Sequence, residues 1–239
     1  MRQRIIWLIL LYLGLAACAW AQSANVTPPM AAIIAEMAQA RAENQARFRS
    51  YIVTRDYKLF GKEKVNTKVH LMVDISFVPP ATKKYSIQRA DGGGFGETIV
   101  RRMLMREVEI AKDYTATDFS PDNYDFRFIY EDNVGGQRCY VLELIPKRNN
   151  NNLLYGKIWV DANTYLPRHI VGEPAKTPSW WLRSLHIELD YSEVGGMWLQ
   201  TALEATAIVK ILGPHTMVAR DVKYQLSDLV VADRLKRVP

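Results

Sequence analysis

Cysteine is nearly absent from this sequence. Cys18 and Cys139 are the only two among 239 residues. Cys18 lies in a leader that is either removed or acylated on export, so Cys139 has no partner and an internal disulfide framework is excluded. Cys139 reads instead as a small packing residue, since free cysteine is among the most buried residue types. Histidine is scarce as well, at four, and no His/Cys cluster has the spacing of a zinc site. The sequence also lacks a G-x-S-x-G elbow, an H-E-x-x-H pair and a phosphate-loop lysine. No internal repeat of about 20 to 50 residues is visible. Past the leader, no run approaches the roughly 20 apolar residues of a membrane span. These absences nominate no enzyme, no cofactor and no metal.

What is present begins at the N-terminus. Arg2 and Arg4 precede an apolar run from Ile5 to Ala17 and a small-residue exit, the three parts of a secretory signal. Two cuts compete. Leu15-Ala16-Ala17-Cys18 reads as a lipobox, with Cys18 acylated at a new N-terminus. Ala19-Trp20-Ala21 reads as a small-x-small site, with cleavage before Gln22. The expected organisation is a signal peptide over 1–21 (1–17 for a lipoprotein), one domain over 22–231 and a basic tail over 232–239. The place is the periplasm, as a soluble protein or anchored to the outer membrane through Cys18, with the soluble form favoured by Ala-Trp-Ala-Gln.

The chain carries 31 basic and 25 acidic residues, a net charge of +6. That surplus suits anionic membrane surfaces or acidic partners. Its scattering along the chain argues against nucleic acid.

Periodicity sets the fold class. Thr27-Pro28-Pro29 predicts a helix start, with Thr27 as the cap, and Met30, Ile33, Ile34 and Met37 continue at helical spacing to about Arg47. From Val65 to Phe77 apolar residues fall on odd positions, which predicts a long strand with one dry and one wet face. Segments 51–59 and 83–89 read as its neighbours. Gly92–Gly96 interrupts the sheet, and a second amphipathic helix runs from Glu97 to about Lys112, with Arg101, Arg102, Arg106, Glu107 and Glu109 on its polar face. About seven further strands follow, separated by turns such as Gly135-Gly136, Gly195-Gly196 and Gly213-Pro214. The result is a mainly β (α+β) chain: a strongly curved antiparallel sheet whose concave face is covered by the helices.

Few residues suggest chemistry. His186, Glu188 and Asp190 share one face of a strand, which alternation between solvent and core already explains. The glycine-rich stretch before the second helix reads as a flexible connection, and Asn149–Asn152 as a solvated turn. Pro178-Ser179-Trp180-Trp181-Leu182, flanked by Lys176 and Arg183, suits a ligand mouth, a partner contact, a membrane interface or ordinary packing at a strand end.

Two stretches, "YGKIWVDANTYLPRHIVGEP" (155–174) and "YSEVGGMWL" (191–199), with "NYDFRFIYED" (123–132) and "CYVLELIPKR" (139–148), resemble the lipoprotein-carrier superfamily that includes LolA, LolB and RseB. The outer membrane lipoprotein-sorting group within it is the nearest in motif. The resemblance runs from about Arg47 to Leu226. It implies an unclosed antiparallel β-barrel whose concave face, lidded by helices, shelters the acyl chains of lipids or lipoproteins without chemistry. The dry faces would supply its lining: Val69, Leu71, Val73, Ile87, Phe126, Phe128, Ile158, Val160, Leu185, Ile187 and Leu189, with Met103 and Leu104 from a covering helix. The competing reading is an envelope sensor whose groove or aromatic loop holds a protein partner.

Overall fold

The structure, a computed structural model, describes residues 27–62 and 64–226. The expected signal peptide, Cys18 and the basic tail lie outside the described residues. Helix α1 (Met30–Ala46) leads into strands β1 (Tyr51–Phe60), β2 (Thr67–Val78) and β3 (Thr82–Asp91). Helix α2 (Phe95–Lys112) and a short 3-10 turn (Tyr114–Ala116) come next. The remaining strands are β4 (Tyr124–Val134), β5 (Gln137–Pro146), β6 (Leu154–Asp161), β7 (Pro167–Pro174), β8 (Leu182–Val194), β9 (Met197–Val209) and β10 (Gly213–Leu226).

All ten strands belong to one antiparallel sheet in the order β3-β2-β1-β10-β9-β8-β7-β6-β5-β4. The ends of that order do not meet, so the barrel is unclosed, as the resemblance implies. Every neighbouring pair but one is joined by a local connection. The exception is β1 with β10, where Tyr51 lies opposite Leu226.

The inner face is legible in the registers. Leu59, Met217, Ala205 and Ile187 sit opposite one another in turn, then Gly172, Gly156, Leu144 and Phe126. This row faces the helices. Its Gly156–Gly172 pair is a backbone requirement: a Cβ on Gly156 would lie 2.0 Å from the Val171 carbonyl oxygen, and one on Gly172 2.6 Å from that of Tyr155.

The helices bury separate halves of this face. Val100 and Leu104 of α2 pack with Val53, Tyr57, Leu71 and Val73. Ile33 and Met37 of α1 pack with Tyr140, Leu142, Leu144 and Ile158. Gly96 lets α2 lie close, because a Cβ there would meet Val69 at 2.6 Å and Leu59 at 2.8 Å. Thr27 does not cap α1: its hydroxyl donates to Glu131 of β4 over 2.6 Å, and Pro29 takes the cap position with no side-chain hydrogen bond. Among the described residues, no helix is long and apolar enough to cross a membrane.

Candidate functional site

The concave face divides into two packed clusters and a seam. Leu203 of β9 touches both clusters. Toward the β9–β10 turn from it, Leu185, Ile187, Ala205 and Ala207 remain half-buried, although all four point to the concave side in register. The alanines make the floor shallow here. This strip is apolar and partly uncovered.

The expected lining residues fall into three places. Val69, Leu71, Val73 and Leu104 are packed in the α2 cluster, with Ile87 and Met103 partly buried at its margin. Ile158, Val160 and Leu189 are packed in the α1 cluster, with Phe126, Phe128 and Ile187 at its margin. Leu185 joins Ile187 on the half-buried floor. The structure thus brings Leu185, Ile187 and Leu189 together on one strand and holds the others under the helices. Two hollows, of about 290 and 310 Å3, lie elsewhere. The first is on the convex side, where Asp56, Lys58, Glu204 and Arg220 line it. The second lies at the β5–β6 loop, beside Lys147, Arg148 and Tyr155.

The seating of α2 rests on buried charges, of which Glu107 is expected on the polar face of the helix. Arg55 projects from the dry face of β1 and is 8% exposed. Its guanidinium meets Asp221 of β10 through both Nε and Nη2, and its Nη1 lies 3.3 Å from Glu107 of α2. Lys83 of β3 reaches the same Glu107 carboxylate at 2.6 Å, and Tyr224 donates its hydroxyl to Asp221. Two cations and two carboxylates therefore neutralise one another under the helix.

Burial works against the Arg55 charge, but Glu107 and Asp221 outweigh it and hold its pKa well above the ordinary value. Burial likewise opposes ionisation of Glu107, yet Lys83 and Arg55 bring its carboxyl below the usual range. Burial drives the Tyr51 and Tyr57 hydroxyls upward. The one readable signal of this network is an arginine at an inward position of an alternating strand, between Val53 and Tyr57.

A second grip lies on the other side of α2. Arg106 donates from Nε to Asn152 Oδ1 at 2.8 Å and from Nη2 to Asn151 Oδ1 at 2.5 Å. The asparagine run between β5 and β6 is therefore a receptor for the helix rather than a free turn. Helix α2 is held to β1 and β3 along one flank and to the β5–β6 loop along the other.

The remaining candidates resolve into pairs. His186 Nε2 stands 3.5 Å from Glu188, whereas Asp190 is drawn to His169 Nδ1 at 2.7 Å. Among the described residues no group of three His, Cys, Asp or Glu side chains could hold a metal ion. Cys139 is fully buried. Trp159 donates to Asp132 at 2.9 Å and Trp198 to the Pro167 carbonyl at 2.6 Å, both bracing the convex side. Trp180 is 84% exposed, while Trp181 and Leu182 are half-buried.

A family model described as "Uncharacterized protein" matches residues 101–228, more than half of the chain, and the chain belongs to that family. No curated protein matches it. Solved structures with a similar fold include a domain named for outer membrane lipoprotein sorting from Vibrio parahaemolyticus. It is 15% identical, covers 85% of this chain and 97% of its own, and has a TM-score of 0.47. A LolA superfamily protein from Nitrosomonas europaea is 13% identical, with 84% and 95% covered and a TM-score of 0.40. MucB in the Pseudomonas aeruginosa MucA/MucB complex is 12% identical, with 84% and 96% covered and a TM-score of 0.27. At these identities the likeness bears on neither ligand nor activity.

Proposed function

We propose that this protein is an exported lipid- or lipoprotein-binding protein of the periplasm. It shelters acyl chains between the concave sheet and its helices, in outer-membrane lipoprotein sorting, and performs no chemistry on them. The observation that carries this reading is the half-buried floor of Leu185, Ile187, Ala205 and Ala207. It continues the apolar inner face: Ala205 borders the α2 cluster and Ile187 the α1 cluster, and all four residues stay half-buried. An acyl chain lying on it would displace water from surface that the protein leaves wet. At about 0.8 kcal/mol per buried CH2, a few chains bind firmly before ordering costs are subtracted. Movement of α2, which its two polar grips hold against the sheet, would widen the space.

Displacement of a fluorescent fatty-acid probe from delipidated protein tests the reading, beside native mass spectrometry of the exported protein. The mass measurement reports bound lipid and the N-terminal chemistry together. Replacing Ala205 or Ala207 by Trp should block the floor and abolish probe binding while the thermal midpoint holds. A delipidated sample that takes up no acyl probe, and instead carries one stoichiometric envelope protein, would leave the sensor reading in its place.

A further inference from the structure

The β7–β8 loop and the β9–β10 turn meet at one rim of the sheet. The Lys210 N–H donates to the Trp181 carbonyl over 3.0 Å, and Leu182 lies opposite Val209. The two segments therefore form a single tip. Four large apolar side chains stand out from it into solvent: Ile211 is 94% exposed, Trp180 84%, Leu212 56% and Ile208 39%. Single exposed apolar residues are ordinary, but a group drawn from two adjoining turns marks an interaction surface. Val65, also exposed, belongs to the β1–β2 turn on the same rim. At the opposite rim, the turns at Gly135-Gly136 and Gly195-Gly196 display no exposed large apolar residue.

The charges at the tip have one sign. Lys176, Arg183 and Lys210 are exposed, and they are the only charged residues of segments 174–183 and 205–214. The Lys210 ammonium stands 5.9 Å from the centre of the Trp180 ring, so cation and indole project together. Aliphatic groups at the apex, an indole beside them and cations behind match the depth profile of a phospholipid surface. Acyl chains lie deepest, indoles settle at the headgroups and lysines meet phosphates.

We propose that this tip docks on an anionic phospholipid bilayer, inserting Ile211, Leu212 and Trp180 to headgroup depth. Lys176, Arg183 and Lys210 then lie against lipid phosphates. Docking is distinct from cargo binding on the concave floor, and neither requires the other.

The test uses the chain from Gln22, which keeps the whole described fold, in co-sedimentation with vesicles. One set is phosphatidylethanolamine with phosphatidylglycerol, and the other is phosphatidylcholine alone. Binding is expected to the first set, to weaken with salt, and to shift Trp180 emission to the blue; the shift should vanish in Trp180→Phe. Ile211→Asp with Leu212→Asp should weaken binding on the order of a hundredfold, and Lys210→Glu or Arg183→Glu at least about fivefold each. These positions are exposed, so thermal midpoints should hold, and fatty-acid probe displacement should not change. Failure of the wild type to bind the anionic vesicles at low salt would overturn the proposal. So would a folded Ile211→Asp/Leu212→Asp variant that binds them as tightly as the wild type.

Discussion

Arg55 of β1 and Glu107 of α2, 52 residues apart in sequence, stand 3.3 Å apart beneath the covering helix. Through this pair the helix is attached to the sheet by charge as well as by the packing of Val100 and Leu104. A buried ion pair adds little net stability over a well-packed apolar substitute, but removing one partner strands the other.

Replacing Arg55 by Ala should accordingly cost about 3–5 kcal/mol in urea unfolding, because Asp221, with 1% of its side chain exposed, loses its counter-charge. Glu107→Gln should cost less, about 1.5–3 kcal/mol, since Arg55 retains Asp221. A smaller loss for Arg55→Ala than for Glu107→Gln would contradict the network.

Acid should loosen α2 before the sheet. The folded Glu107 carboxyl titrates below its ordinary value of 4.5. Its contribution is then fully present above that value and is lost as pH falls through the folded pKa. Amide exchange in α2 should accelerate over that range ahead of exchange in β8 and β9, and Glu107→Gln should remove this acid-dependent step.

Tyr57 is fully buried, and its hydroxyl faces the Arg55 guanidinium without a well-formed hydrogen bond. Tyr57→Phe removes a desolvated, poorly satisfied hydroxyl, so stability should change by no more than about 1 kcal/mol. A larger loss in thermal unfolding would reveal a bond the hydroxyl makes.

Arg106→Ala frees the flank of α2 that faces the β5–β6 loop and leaves the apolar floor untouched. Stopped-flow mixing with a fluorescent fatty acid should then show faster uptake at similar equilibrium affinity. Equal rates would mean that this grip does not limit access.

Much of the architecture was legible because alternation is a local property. Val69, Leu71, Val73, Ile75 and Phe77 announce a dry face before any partner is known, and the strand bears this out. The cover over that face was legible for the same reason, in the spacing of Val100, Met103 and Leu104. The polar network was not, because its members come from β1, β3, α2 and β10 and acquire meaning only when pairing brings them together. Glu107 shows the difficulty: next to Arg106 on a polar helix face it reads as solvated, and only register with Arg55 makes it internal. Asn151 and Asn152 failed similarly, since a polar loop gives no local sign that an arginine will reach it. The expected lining also could not be divided in advance into residues under a helix and residues left half-open. A dry face looks alike in sequence whether a helix or a ligand covers it.

The pairing of Tyr51 with Leu226 also bears on how the chain comes to be made and moved. Strand β1 waits for β10, the last strand of the described fold, before the sheet can become continuous. Until then β1–β3 with α2 form one fragment and β4–β9 another, and an edge of each lies open. So long a wait between first and last strand implies slow folding. Under the export proposed above, it also means that no finished sheet can form until the final strand has crossed the membrane.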